Sequence, residues 1–264
     1  MSEQSPLSYE GRCILCGGPL AVTQAEAHRE RALCPNCGIN ARLRGLLLAA
    51  VRELVCPPAA PLRALAPCRQ RRVLGISDHD TCAAALRDAF DYTNTQFHAA
   101  PFLDICDPAS VAAFRDYDAV LCSDVIEHTI APPEVTLPNL LSMLRPGGVL
   151  LLSAPTFHVP ATIEWYGGLV EHTVARVEDR FEVHWRDIRG QDLIDRRPTF
   201  HGGPGAVLEM RVIAHSHLLD VARRHAHSAD ILEFVPEWGY SWRFFREQPY
   251  IDGPGDGRVI VVRR

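Results

Sequence analysis

A glycine-rich loop after the strand at Val73–Ile76, long apolar runs and a strong charge of either sign are all missing from this 264-residue sequence. No stretch approaches the roughly 18 consecutive apolar residues that span a bilayer, and the opening MSEQSPLSYEGRC has no apolar segment of the signal-peptide kind. A cytoplasmic protein with no membrane partner is the expectation. The net charge of −5 removes any global electrostatic pull toward nucleic acid or anionic lipid, leaving room only for a local basic patch. With 47% hydrophobic and 22% charged residues, the chain can bury the core of one large domain carrying a small appendage.

Cysteine is the residue present in excess. Nine of them, an odd number, point in a cytoplasmic setting to metal ligands and reduced thiols rather than to a disulfide framework. Cys13-Ile-Leu-Cys16 and Cys34-Pro-Asn-Cys37 are two CxxC units with seventeen residues between them, each followed by a glycine, Gly17 and Gly38. Such turns present four thiolates to one tetrahedral ion, the pattern of a zinc ribbon. Four protein ligands close the shell, so a structural Zn2+ is expected. The cations His28, Arg29, Arg31, Arg42 and Arg44 around the ribbon read as a solvated basic face, or else as a grip on phosphate or RNA. Cys56, Cys68, Cys82, Cys106 and Cys122 lack ligand spacing and read as packing.

Beyond the ribbon, assigned to residues 1–45, Asn40 is placed to cap a helix through ARLRGLLLAAVRELV, whose apolar residues recur every three or four positions. A linker with four prolines in CPPAAPLRALAPCRQ completes residues 46–70. From 71 to 264, strands alternate with helices: Val73 to Ile76, TCAAALRDAF, Tyr92 to Phe97, YDAVLCSD, VTLPNLLSMLR and VLLLSAP. The strands are near-continuous apolar runs, which implies an α/β, doubly wound, mostly parallel sheet covered on both faces. Residues 156–205 break this rhythm with His158, His172, His184 and His201 and the glycine-rich HGGPG, as a substrate lid would. The chain resumes with AVLEMRVI, a helix SHLLDVARRH capped by Ser216, and strands ILEFV and RVIVV.

Ligands of open parallel sheets bind beyond the carboxyl ends of the strands. At those ends YDAVLCSDVIEHT, followed by LLSMLRPGGVLLLSAP, resembles the fourth-strand and fifth-strand segments of class I S-adenosylmethionine-dependent methyltransferases. The resemblance covers about residues 71–155. It implies a seven-stranded Rossmann-like sheet with S-adenosylmethionine as cofactor. By the same resemblance Gly75, Ser77 and Asp78 fall at the methionine end, Asn94 near the ribose, Asp104 and Ile105 beside the adenine, and Ser123 and Asp124 beneath the sulfonium. Two positions depart from the family. The first loop, GISDHD, keeps only Gly75 of the usual glycines, and Asn94 or Thr93 stands where an acidic residue usually binds the ribose. Asp78 is expected to bind the cofactor's positive charge, with capping of the following helix as the alternative role.

An acceptor hydroxyl must lose a proton on methylation, and imidazole suits that task near neutral pH. His158, His128, His172 and His201 are the candidate bases, ahead of Glu127 and Glu164. The family's Asn/Asp-Pro-Pro-aromatic tetrad for base amines is missing after the fourth strand. The pairs His215/His217 and His225/His227 read as solvated surface. The reading is methyl transfer to a small-molecule or saccharide acceptor, on oxygen, with nucleic acid disfavoured. The alternatives are a non-catalytic binding module on the cofactor fold and an RNA methyltransferase docking through its ribbon.

Overall fold

A computed structural model describes residues 9–23, 28–55, 60–233, 235–238, 243–244 and 255–264. A hairpin of β1 (Tyr9–Arg12) and β2 (Pro19–Val22) precedes helix α1 (Ala41–Leu54). Then come β3 (Cys68–Ile76), α2 (Asp80–Ala89), β4 (Phe90–Thr95), α3 (Pro108–Val111), β5 (Tyr117–Ser123), α4 (Pro133–Ser142) and β6 (Leu144–Ser153). A strand-rich stretch follows: β7 (Thr156–Phe157), β8 (Ile163–Glu164), β9 (Leu169–Val177), β10 (Arg180–Asp187), β11 (Asp192–Asp195), β12 (Phe200–His201), β13 (Val207–Leu208) and β14 (Arg211–Ala214). Helix α5 (His215–His225), β15 (Ser228–Ile231), β16 (Arg243–Phe244), β17 (Gly255–Asp256) and β18 (Ile260–Arg263) complete the described elements.

The central sheet runs β15-β18-β6-β5-β3-β4. Strands β4, β3, β5 and β6 are mutually parallel, while β18 is antiparallel to both of its neighbours. The expected α/β, mostly parallel sheet is therefore present, with six strands among the described residues rather than seven. Beyond β4 the chain makes only a single bridge, Gln96 to Phe102, and Pro101 has no N–H to give to a ladder there.

Successive residues of each central strand sort to opposite faces. Val73, Ala119, Leu121, Val149 and Leu151 join α1 and α2 in one apolar core, and Leu74, Val120, Cys122, Leu150 and Leu152 join α4 and α5 in the other. Burial on both faces explains why these strands carry unbroken apolar runs. The first core also takes in Ile14 and Leu15 of the N-terminal segment, both fully buried.

Helix α1 starts as its sequence dictates, with the Asn40 side chain accepting from the Leu43 amide. Three boundaries differ from the sequence reading. Helix α5 begins at His215 behind Ala214, with no side-chain cap, so Ser216 lies inside the helix. Strand β15 lies at Ser228–Ile231 instead of ILEFV, because its pairing with Ile260–Arg263 fixes the register. AVLEMRVI is split into β13 and β14. His215 is buried and bonded to Thr156, and His217 bridges Thr162 and Glu134, so that pair is not solvated surface. Cys82 and Cys122 are fully buried, as packing thiols should be, Cys68 and Cys106 are half-buried, and Cys56 lies outside the described residues.

Arg44, with no exposed surface, fastens the N-terminal segment to α1. Its guanidinium donates to the Ala32 and Ile39 carbonyls at 2.8 and 3.0 Å and to the Tyr9 hydroxyl at 3.0 Å. Truncation would take a charged donor from these buried acceptors, of which the Ile39 carbonyl would keep the Cys34 amide at 2.9 Å. Arg44→Ala is expected to lower unfolding free energy by about 3 kcal/mol, read as a shift in the urea midpoint at unchanged slope.

Candidate functional site

Strand β3 is followed by β4 on one side and, later in the chain, by β5 on the other. The order thus reverses between β3 and β5, and the crevice at their carboxyl ends is where this architecture places ligands. The residue just past β3, Ser77, has φ +56°, and the residue just past β5, Asp124, has φ +54°. Non-glycine residues seldom occupy the left-handed region, and such strain gathers at functional positions.

In the β3 loop Asp78 is buried, and its Oδ2 accepts a 2.8 Å hydrogen bond from the Tyr92 hydroxyl. Its Oδ1 is also buried and has no hydrogen-bond partner among the described residues. Asn94 clamps the same residue by its backbone, accepting from the Asp78 amide at 3.0 Å and donating to the Asp78 carbonyl at 2.9 Å. Gly75 makes this arrangement possible. A Cβ there would lie 2.1 Å from the Tyr92 hydroxyl and 2.3 Å from Asp78 Oδ2. Helix α2 is capped instead by the His79 ring, which accepts from Thr81, so Asp78 does not cap it. Burial pushes the Asp78 carboxyl up to about 7, against the opposing pull of the Tyr92 hydrogen bond and the Arg42 charge.

Across the crevice, Asp124 meets two arginines from the N-terminal segment. Arg29 Nη2 lies 2.6 Å from its Oδ1, and Arg42 Nε lies 3.2 Å from its Oδ2. Arg29 is 2% exposed. Arg42 also donates to Glu30 at 2.7 Å and to the Ser123 hydroxyl at 2.8 Å, and Ser123 in turn pairs with Ser153. Burial alone would raise the Asp124 carboxyl, but the charges of Arg29 and Arg42 hold it below the usual range. The basic face is thus not a solvated one: Arg29 and Arg44 are buried and Arg42 is turned to the crevice, with only Arg31 exposed. Their role was hidden in the sequence because the partner acid lies 95 residues from Arg29. Tyr92 likewise gave no signal.

Of the other expected cofactor contacts, Asp104 accepts from the Cys106 amide, and Ile105 is buried with its carbonyl held by Asn139. Of the four histidines, the structure brings two together. His128 and His201 stack edge to face with ring centres 5.3 Å apart, and both adjoin Glu127. Exposed His158 lies near Asp256 and His215, whereas His172 faces Trp185 across the β9–β10 hairpin. Glu164 is engaged by Arg211 at 2.8 and 3.0 Å. Burial, and then the Asp124 charge, push the Glu127 carboxyl well above its ordinary range.

Cys13, Cys16, Cys34 and Cys37 converge with all four sulfurs within 4.8 Å of one another. The Cys13–Cys37 and Cys16–Cys34 sulfurs are each 3.7 Å apart, far beyond a disulfide and close to the ~3.8 Å edge of a tetrahedron with Zn–S bonds of about 2.3 Å. The two turns are built alike. The Gly17 and Gly38 amides donate to the Cys13 and Cys34 carbonyls, and both glycines adopt positive φ, +77° and +73°.

No family model matches the sequence, and no curated protein matches it. Among solved structures the chain is similar to 1,6-didemethyltoxoflavin-N1-methyltransferase from Burkholderia thailandensis, at 12% identity over 74% of this chain and 72% of that one, with a TM-score of 0.40. It is also similar to an S-adenosylmethionine-dependent methyltransferase from Mesorhizobium loti, at 13% identity, 77% and 95% coverage and a TM-score of 0.41. An O-methyltransferase family protein from Burkholderia thailandensis gives 12% identity, 91% and 62% coverage and a TM-score of 0.40. Likeness this distant does not say what the chain does.

The raised Asp78 carboxyl makes stability fall with pH. The folded state keeps this proton up to about pH 7 while the unfolded chain releases it near pH 4, so the contribution is full below pH 4 and lost by pH 7. In Asp78→Asn the Tyr92 hydrogen bond has an acceptor and the titration is gone. The variant is expected to gain stability relative to the parent as pH rises from 4.5 to 8, by a few kcal/mol at most. Parallel urea midpoints across that range would refute the burial of a titrating carboxyl.

Proposed function

We propose that the protein is an S-adenosylmethionine-dependent methyltransferase acting on an oxygen of a small-molecule or saccharide acceptor. The observation that carries this reading is the unpartnered Oδ1 of buried Asp78 at the switch point, in the field of the Arg42 guanidinium. A buried acceptor of this kind calls for a cation, and the methionine end of the cofactor offers an ammonium beside a carboxylate. Asp78 would hold the ammonium, and Arg42 the carboxylate. Gly75 and Ser77 keep the β3 turn in shape around them, and Asn94, which positions Asp78, would have one amide hydrogen left to offer the ribose. Asp104 and Ile105 would border the adenine. Ser123 and Asp124 lie where the reacting centre would be.

S-adenosylmethionine supplies, when bound, a methyl group on a positively charged sulfur. The protein's task is then to orient an acceptor and remove its proton. His128 and His201 are the bases favoured by position, since both adjoin Glu127, three residues beyond Asp124. Residues 156–205, carrying β9 to β12, would close over the acceptor as a lid. The four cysteines would hold a structural Zn2+, supported by the spacing of their sulfurs.

Titration calorimetry with S-adenosylhomocysteine tests the reading. One site per chain is expected, at micromolar affinity, tightening from pH 6 to pH 8 as Asp78 ionises, and weakened at least about tenfold in Asp78→Ala. Absence of binding up to millimolar ligand would instead favour the non-catalytic module, with the crevice an ion-paired core. Metal analysis of the purified protein is expected to find one zinc held by the four cysteines, and Cys16→Ser to reduce it.

A further inference from the structure

Glu127 is 1% exposed, and neither of its carboxylate oxygens accepts a hydrogen bond from another side chain among the described residues. Leaving a carboxylate so is costly unless a cation meets it. The groups it faces are His128 and His201, one ligating atom from each of the three lying within 4.8 Å of the others. His128 Nδ1 lies 2.8 Å from the Leu208 carbonyl, which can only accept, so Nδ1 carries the ring proton and Nε2 keeps its lone pair. That Nε2 lies 3.7 Å from Glu127 Oε1. An outer carbonyl fixing the tautomer of an inward-facing ring is the usual support of a metal-binding histidine.

The segment bearing Glu127 and His128 is held from behind. Arg211, 2% exposed, donates to the Ile126 and Ile130 carbonyls and to the Thr129 hydroxyl, and the Met210 amide donates to the Glu127 carbonyl. The nearby acids Asp124 and Glu209 add negative charge that acts on Glu127, against the opposing positive charge of Arg29.

We infer that Glu127, His128 and His201 bind a divalent transition-metal ion. Two imidazoles and one carboxylate suit zinc, iron, cobalt or nickel, and three protein ligands leave coordination positions open. A ligand–ligand spacing of about 3.4 Å for tetrahedral bonds of 2.1 Å needs only a few tenths of an ångström of closure between Glu127 and His128. Unlike the four-cysteine cluster, this site could take a substrate atom. On the methyltransferase reading, on which this further step rests, the open positions receive the acceptor's hydroxyl and lower its pKa so that its proton passes to solvent water. His128 and His201 then serve as ligands in place of acting as bases, and the substrate is a hydroxyl compound able to ligate a metal.

The test is a Co2+ titration of the full-length, zinc-replete protein, followed by calorimetry and visible absorption. One added site per chain is expected, showing cobalt d–d bands without the intense thiolate charge-transfer band that cysteine ligands give. Glu127→Gln and His201→Ala should each weaken it at least about tenfold, with circular dichroism unchanged. No added Co2+ at millimolar concentration, equal binding in both variants, or a thiolate band would overturn the site. S-adenosylhomocysteine binding is measured separately on the same protein. Cobalt binding without it would keep the metal site and remove only its link to methyl transfer.

Discussion

The buried contact of Asp124 with Arg29 and Arg42 is the constraint on which the crevice depends. Taking a carboxylate and two guanidiniums out of water costs several kcal/mol per ion and is offset only where each charge finds close partners. Here the partners come from distant parts of the chain, Arg29 lying 95 residues before Asp124. Asp124 follows β5, and the arginines flank the second CxxC unit. Glu30 completes the set, accepting from Arg42 and from the Asn40 side chain that caps α1. One network therefore fixes the start of a helix, the seating of the cysteine cluster and the charge at the end of a central strand. A change in any of these is felt at the others, because a charge left unpaired at buried Arg29 or Asp124 is costly.

The same contact bears on the loop after β3. Where a cofactor loop relies on glycines, the backbone itself comes close to the ligand and its amides do the binding. This chain has a single glycine there, and the Asp78–Tyr92 hydrogen bond occupies the space where its side chain would be. On the proposed reading, recognition would pass to side chains: a carboxylate from the loop and guanidiniums from the N-terminal segment. Side chains of opposite sign placed so close attract one another in the absence of ligand. The strained backbone at Ser77 and Asp124 fits this picture, since both residues are turned out of ordinary strand geometry at the point where the charges gather.

Local physics was legible in the sequence, and long-range pairing was not. The helix at Ala41–Leu54 with its Asn40 cap, the parallel strands with apolar residues for both faces, and the cysteine spacing follow from periodicities within some twenty residues. That six strands lie in the sheet among the described residues, with the Gln96–Phe102 bridge beyond β4, depended on contacts across a sheet edge. The slip of β15 depended on pairing with β18, about thirty residues further on. Charge was harder still. Arg29, Arg31, Arg42 and Arg44 look alike in sequence, yet one is exposed, one holds backbone carbonyls and two meet an acid on a distant strand. The histidines divide in the same way. Among the four candidates, proximity to Glu127 singles out His128 and His201, which lie 73 positions apart as their numbers show, and only the fold could bring them together.

The two proposed ion sites both bear on one acid. With Zn2+ bound, the four-cysteine cluster would be closed and would order residues 28–42, from which both crevice arginines come. The Glu127, His128 and His201 group is open and draws its excess negative charge partly from Asp124. The arginines neutralise Asp124, and by doing so they limit how much negative charge is left to attract a cation at Glu127. If the cysteine cluster lost its ion and the arginines withdrew, Asp124 would be left unpaired beside Glu127, and two buried carboxylates would compete for one cation or one proton. A structural metal with no coordination position to offer substrate would in that way set the charge, and so the ligand preference, of a site it does not touch.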